Sequence, residues 1–315
     1  MEDYPRTILE LESRFGTEQA CRDYLFSLRW PEGFRCPRCG HDKAWALARG
    51  LHECAGCGVQ TSVTAGTIFQ DTRKPLRLWF RAVCYVTNQK TGVSALGLQR
   101  VLGLGSYETA WVWLHKLRRA MVRPGRDRLK GSVEVDEVYV GGEHPGKRGR
   151  GAAGKCIVVV AAEEDGPRIG RVRLLRVPDA SGPSLCDAAL ECVEPGSIVR
   201  TDGLASYNGL SGLGYRHEVI RQGSGEVGEN PLPRIHRVAA LLKRWMLGTH
   251  QGAIRSSHLD YYLDEFTFRF NRRTSRSRGK LFYRLLQHAV AIDPVPGDQL
   301  RGGAICPALT NSAST

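Results

Sequence analysis

Apolar and polar positions follow two different rhythms along the chain, and the change falls near residue 131. Up to that point the spacing is helical. "ILELESRFG" and "TEQACRDYLFSLRWP" carry mixed three- and four-residue intervals, with Thr17 as an N-cap and Trp30-Pro31 as a stop. "KPLRLWFRAVCYVTNQ" predicts one helix with Pro75 near its start. "GVSALGLQRVLGLGSYETAWVWLHKLRRAM" predicts two more, broken at "GLGS" (103–106). Leu96, Val101 and Leu102 before that turn, and Ala110, Trp113, Leu114 and Leu117 after it, have the spacing of a helix-turn-helix. A small helical bundle would show the same intervals. "VRPGRDRLKG" (122–131) is a basic linker broken by Gly and Pro.

From residue 132 the period becomes two. "SVEVDEVYVGG", "KCIVVVAAEE" (155–164) and "IGRVRLLRVPDA" (169–180) predict three strands close enough for an antiparallel meander. A basic glycine loop, "EHPGKRGRGAAGK", separates the first two. "SGPSLCDAALECV" (181–193) predicts a helix with Ser181 as N-cap, followed by strands at 197–203 and 214–220. Beyond a Gly/Pro-rich loop (221–234), helices are expected at 233–250 and 258–273. The tail from Pro294 is rich in Pro, Gly and Ser and is expected to be disordered. A meander, a crossover helix, then further strands and helices describe an α/β chain with a mixed five-stranded sheet of the ribonuclease-H type.

The chain is 315 residues long, enough for two or three domains. No apolar run reaches the length of a membrane span, and the acidic N-terminus lacks the apolar segment of a secretory signal, so a cytoplasmic protein with no membrane partner is expected. The net charge of +13 is uneven. Residues 71–130 hold thirteen Lys/Arg against three Asp/Glu, and "RFNRRTSRSRGKLFYR" (269–284) holds seven basic residues and no acid. Two such blocks, with Trp79, Phe80, Trp111, Trp113, Phe268, Phe270, Phe282 and Tyr283 interleaved, favour a nucleic-acid partner over solvated surface.

Four of the ten cysteines form a pattern: Cys36 and Cys39, fourteen residues, then Cys54 and Cys57. Gly40 and Gly58 follow each pair. Such knuckles aim two thiolates at one point, and two of them make a closed tetrahedral zinc site with a structural role. The other six (Cys21, Cys84, Cys156, Cys186, Cys192, Cys306) are scattered and read mostly as small core residues.

Asp136 sits in the middle of the apolar strand "VEVDEVYV", where a carboxylate is costly unless paired or metal-bound. Glu134 shares its face and Glu137 faces the other way. Asp202 ends the fourth strand, before Gly203. The plain alternatives are a salt bridge for Asp136 and a turn aspartate for Asp202. In a ribonuclease-H-type order the first and fourth strands are neighbours, and two carboxylates brought together there call for hard cations, for which magnesium is suited. His236 follows Asp202 by 34 residues, near the start of a helix whose Val238, Leu241, Leu242 and Trp245 form a core stripe. His236 lies about 200° from Val238, on one side with Ala240 and Lys243. A surface or capping histidine is the ordinary reading of His236 alone; the set Asp136, Asp202, His236 and Lys243 carries more weight than any member.

"FRCPRCG…CAGCG", "VEVDEVYVGG", "TDGLASYNGL", "HRVAALLKRWMLGTHQGA" and "HLDYYLDEFTFRFNRR" together resemble the bacterial insertion-sequence transposases with an N-terminal zinc ribbon and a ribonuclease-H-like catalytic domain of the DDE superfamily. The resemblance covers most of residues 15–285. It implies a helical segment over 1–32, a zinc ribbon over 33–70, a helix-turn-helix region and linker over 71–130, a catalytic domain over 131–293 and a tail over 294–315. It further implies binding of terminal inverted repeats, DNA cleavage and strand transfer with two Mg²⁺ or Mn²⁺ ions, and a homodimer or larger assembly on paired DNA ends. Asp136, Asp202, His236 and Lys243 match the catalytic positions. The third is usually Glu in the superfamily; related zinc-ribbon transposases carry Asn or His there. The competing expectation is a DNA-binding regulator whose ribonuclease-H-like domain is inactive, and a second is a nuclease without strand transfer.

Overall fold

A computed structural model describes residues 3–123, 125–141, 155–220, 232–252 and 254–302. The expected loops at 143–155 and 221–234 fall almost wholly outside them, as does Cys306. In chain order the elements are α1 (Ile8–Arg14), α2 (Glu18–Arg29), β1 (Ala44–Ala46), β2 (Leu51–Cys54), β3 (Gln60–Ser62), α3 (Leu76–Asn88), α4 (Ala95–Leu102) and α5 (Tyr107–Met121). They continue with β4 (Ser132–Val140), β5 (Cys156–Asp165), β6 (Arg168–Val177), α6 (Gly182–Cys192), β7 (Ile198–Thr201), β8 (Arg216–Val219), α7 (Pro233–His250), α8 (Leu259–Asn271), α9 (Arg278–Ala289) and α10 (Gly297–Gly302). A long 3₁₀ segment, Ala205–Leu213, lies between β7 and β8. Among the described residues no helix is long and apolar enough to cross a membrane.

Two compact units divide the chain near Arg123 and again near Ser275. The first holds the N-terminal part and the C-terminal helices. Thr17 caps α2 as expected, its side chain accepting from the Ala20 N–H. The ribbon is a three-stranded antiparallel sheet, β1-β2-β3. Trp30, Phe34 and His52 pack at its base, with ring centroids 5.1–6.1 Å apart. Trp79 of α3 stacks on Trp113 of α5 at 3.8 Å. Gly103 ends α4 in the left-handed conformation that lets the chain turn into α5, so the helix-turn-helix reading has its turn where the sequence put it. Its core stripe is shifted: Ala95 and Leu98 are buried, whereas Leu96 and Val101 face solvent. Leu98 sits between the two expected positions on the helix, and a run of four apolar residues within eight leaves the phase of so short a stripe ambiguous.

Two boundaries differ from expectation. Helix α9 belongs to the first unit, not to the sheet domain that was expected to run to residue 293. Its buried Leu281, Phe282, Leu285 and Leu286 form a stripe against the N-terminal helices, Phe282 lying 5.7 Å from the Phe80 ring. The tail from Pro294 is ordered through residue 302: Leu300 is buried, Val112 of α5 packs beside Gly297, and Arg301 pairs with Glu108 at 2.6 Å. One buried leucine and one ion pair outweigh what composition implies for that stretch. Six of the eight interleaved aromatics are core residues: Trp79, Phe80, Trp113, Phe268, Phe270 and Phe282 are buried and offer no stacking platform, while Trp111 and Tyr283 are half-buried.

The second unit is a five-stranded mixed sheet in the order β6-β5-β4-β7-β8. β4, β5 and β6 form the antiparallel meander, and β4, β7 and β8 run parallel. This is the order expected of a ribonuclease-H-type sheet, with the first and fourth strands side by side. Strand alternation sends Val138, Val140, Val158 and Val160 to one face, where α7 and α8 cover them. Val133, Val135, Val159 and Ala161 point to the other, beneath α6 and the 3₁₀ segment. The core face of α7 is Ile235, Val238, Ala239, Leu242 and Met246, with Leu241 and Trp245 at its margin.

Candidate active site and zinc cluster

Two groups of polar side chains stand out, one in each unit. In the ribbon, Cys36 Sγ lies 3.7 Å from Cys57 Sγ, and Cys39 Sγ lies 3.6 Å from Cys54 Sγ. All four sulfurs lie within 4.8 Å of one another. A tetrahedral zinc at about 2.3 Å from each thiolate requires sulfurs about 3.8 Å apart, so the donors fit the ion. The spacing arises locally. Gly40 and Gly58 adopt φ of 75° and 67°, and their N–H groups return to the Cys36 and Cys54 carbonyls at 2.9 Å. A side chain with a Cβ would strain both closures. The remaining described cysteines are free thiols, with Cys21, Cys84, Cys186 and Cys192 buried and Cys156 half-buried.

In the sheet unit, Asp136 lies on the central strand β4, on the face that α7 covers. Strand pairing sets Glu134 beside Arg200 of β7, and two residues further along this parallel register come Asp136 and Asp202. Burial raises the Asp136 carboxyl to about 7, and the negative charges of Glu137 and then Asp202 push in the same direction. Its Oδ1 accepts from the Glu137 N–H at 2.8 Å. Asp202 Oδ1 accepts from the Leu204 N–H at 2.9 Å, as a turn aspartate does. His236 and Lys243 both face solvent on the same side of α7. Among the described residues, the four cysteines are the only His, Cys, Asp or Glu side chains, three or more together, drawn closely enough to hold one ion. The structure therefore brings Asp136 and Asp202 within mutual electrostatic reach and presents His236 and Lys243 on one exposed face.

Comparison with known proteins resolves the family. Residues 128–271 match the ISXO2-like transposase domain and residues 16–60 match the transposase zinc-ribbon domain. A Halobacterium salinarum protein, described as an uncharacterized protein in transposable element ISH50, is 27% identical over 290 residues, which cover 84% of this chain and 94% of that protein. The chain belongs to the zinc-ribbon insertion-sequence transposases.

One contact in the transposase's sheet unit ties the strand of Asp136 to the helix of His236. Glu134, buried to 2% exposure, reaches from β4 to the N-terminus of α7. Its Oε2 accepts from the backbone N–H groups of Arg234 and Ile235 at 2.9 and 3.0 Å, and its Oε1 pairs with the Arg234 guanidinium at 2.8 Å. The helix lacks a side-chain cap of its own, because Leu232 stands at that position and Pro233 follows it. A carboxylate from the strand supplies both the missing acceptors and a charge suited to the helix dipole. Arg234 also meets Glu164, which pairs with Arg200, which in turn holds Glu218. The helix that carries His236 is thus tied to the strand that carries Asp136, two residues away. On the opposite face the Tyr207 hydroxyl donates to Glu137 at 3.2 Å. The alternation within "VEVDE" told Glu134 from Glu137, but nothing in the sequence indicated that their partners would be Arg234 and Tyr207.

Because the Glu134–Arg234 pair is buried on its acidic side, Glu134→Ala leaves two helix N–H groups without their acceptor and the Arg234 guanidinium with Glu164 as its remaining carboxylate partner. The expected cost is about 3–5 kcal/mol, measured as a shift of the denaturation midpoint. A loss below about 1 kcal/mol, the range of an exposed pair, would show that the cap does not hold α7.

Proposed function

We propose that the transposase cuts the DNA at the ends of its element and joins them to target DNA, using Asp136, Asp202 and His236 as metal ligands and Lys243 as a phosphate contact. The observation that carries this reading is the uncompensated pair of carboxylates. Asp136 is half-buried, lies near Asp202 and Glu137, and has no cationic side chain among its hydrogen-bond partners in the described structure. A hard divalent cation is the natural counter-charge for such a donor set, and magnesium or manganese fits it. When bound, such ions supply Lewis acidity to a phosphodiester and stabilise the oxygens of an in-line displacement.

The chain's own residues have distinct tasks. Asp136, held on a central strand, fixes one carboxylate against the sheet. Asp202 keeps its Oδ2 outside the turn hydrogen bond made by Oδ1. His236 supplies an imidazole nitrogen from α7, where the superfamily usually has a carboxylate; a neutral donor leaves one less negative charge to balance. Lys243, two helical turns further on, offers a point cation to a phosphate beside the scissile bond. Hydrolysis leaves a 3′-hydroxyl, and attack of that hydroxyl on a second phosphodiester joins the strands, with no covalent enzyme intermediate required. The zinc ribbon and the α4–α5 helix-turn-helix are assigned to recognition of terminal inverted repeats, and the enzyme to a dimer or larger assembly on paired ends. A cytoplasmic location accords with access to DNA.

Joining of a pre-cleaved DNA end to plasmid DNA tests the site. His236→Glu should retain joining with Mg²⁺ or Mn²⁺, and His236→Ala should lose most of it. Full activity in the alanine variant would remove His236 from the site.

A further inference from the structure

The sequence of α7 contains no acidic residue over its 18 positions. Its core face is Ile235, Val238, Ala239, Leu242 and Met246; its exposed face carries His236, Arg237, Lys243 and Arg244. These four form two parallel rows, each separated by seven residues: His236 with Lys243, and Arg237 with Arg244. Seven residues of helix rise about 10.5 Å, so each row runs nearly along the helix axis. Ala240 and Gly248 lie between and beyond them on the exposed face, where small side chains let a partner approach the helix closely.

Neighbouring arginines of the same unit are used differently. Arg171, Arg176, Arg200, Arg234 and Arg269 each have a carboxylate partner. Arg237 and Arg244 have none among the described residues. Two arginines without internal partners, on a helix without acids and anchored by Glu134 to the strand of Asp136, form a cationic strip of fixed orientation. Its chemistry fits a polyanion with regularly spaced charges. Each row spans about three phosphate steps of one DNA strand, which advances about 3.4 Å along the duplex axis per phosphate.

We propose that Arg237 and Arg244 bind the DNA backbone, forming a phosphate-contacting row beside the row of His236 and Lys243, in which Lys243 is the assigned phosphate contact. This extends the transposase reading given above and rests on it for the identity of the polyanion. The row positions DNA along α7 and carries no sequence information, since backbone contacts set register and base contacts set specificity.

The test uses the full chain and a random-sequence duplex of about 30 base pairs, with affinity measured across a salt series. Each lost phosphate contact lowers the slope of log affinity against log salt by about 0.9, so Arg237→Gln/Arg244→Gln should lower it by about 1.8. A control pair with the same charge change, Lys130→Gln/Arg168→Gln, lies off the helix and should leave the slope unchanged. An unchanged slope in the α7 variant overturns the proposal, and so does an equal drop in the control, which would mark a general charge effect. Both arginines are exposed and have no partner among the described residues, so the variant should melt with wild type, and a shared melting point confirms that the slope reports contact. DNA joining measured on the same proteins separates the two readings. A flat slope with joining still dependent on Asp136 sinks the backbone row alone. Joining that ignores Asp136 sinks the transposase site while leaving the slope result to stand.

Discussion

Cys54→Ser costs the transposase its zinc and, with it, the folded ribbon. Structural zinc sites in small fingers are worth about 10–16 kcal/mol of apparent binding energy, as much as or more than a typical domain's whole stability. The ribbon's sheet has three strands of only three or four residues each, too little apolar area to hold without the ion. Wild-type protein should contain one zinc per chain and lose it to a strong chelator. The variant should contain none and be cut rapidly by protease between residues 36 and 60. Exposed Trp45 on β1 gives an optical reading of the same loss. Stoichiometric zinc and a protease-resistant ribbon in Cys54→Ser would show that three thiolates and other donors suffice.

Asp136→Asn makes the metal-free protein more stable as pH rises. The folded carboxyl titrates near 7, against an ordinary 3.8, because partial burial and the charges of Glu137 and Asp202 all disfavour its ionised form. Below the ordinary value both folded and unfolded chains hold the proton, and nothing is lost. Between the two values the unfolded chain releases its proton first, so the folded state loses stability as pH rises. Above about 7 the loss is complete, with a ceiling of about 4 kcal/mol for a displacement of about three pH units. The asparagine variant carries no such penalty. Its advantage over wild type should therefore open between about pH 4 and 7 and stay constant above. Asp202→Asn should give a smaller gain, since Asp202 is the third contributor after burial and Glu137. Added Mn²⁺ should then stabilise wild type and leave Asp136→Asn unmoved. A pH-independent difference between wild type and Asp136→Asn would mean that the carboxyl is not held near neutrality.

Much of this architecture was legible in the chain because it rests on local rules. Strands β4 to β6 are long and β-branched, so their period was clear, and Thr17 and Ser181 cap α2 and α6 as their side chains predict. The Cys spacing alone specifies the four-thiolate cluster, and the positions of β4 and β7 in the strand order bring Asp136 near Asp202. What could not be read depended on packing between distant segments. Helix α9 has the same amphipathic pattern whichever unit it covers, and only the fit of Phe282 against Phe80 decides. A Pro/Gly-rich tail gave no sign that Leu300 would find a pocket. The Glu134 cap joins residues a hundred positions apart, and its acceptor and donors carry no short-range signature. Aromatics among basic residues misled in the other direction: charge on one side of a helix is compatible with a buried ring on the other.

The proposed metal-dependent strand-transfer site comprises Asp136, Asp202, His236 and Lys243. Its most direct measurement is the joining of a pre-cleaved DNA end, taken from the DNA flanking the coding sequence, to supercoiled plasmid. Wild type should join strands with Mg²⁺ or Mn²⁺ and not in chelator, and Asp136→Asn should bind the same DNA but give no product. Joining by Asp136→Asn at the wild-type rate, or joining by wild type in the presence of chelator, would contradict it.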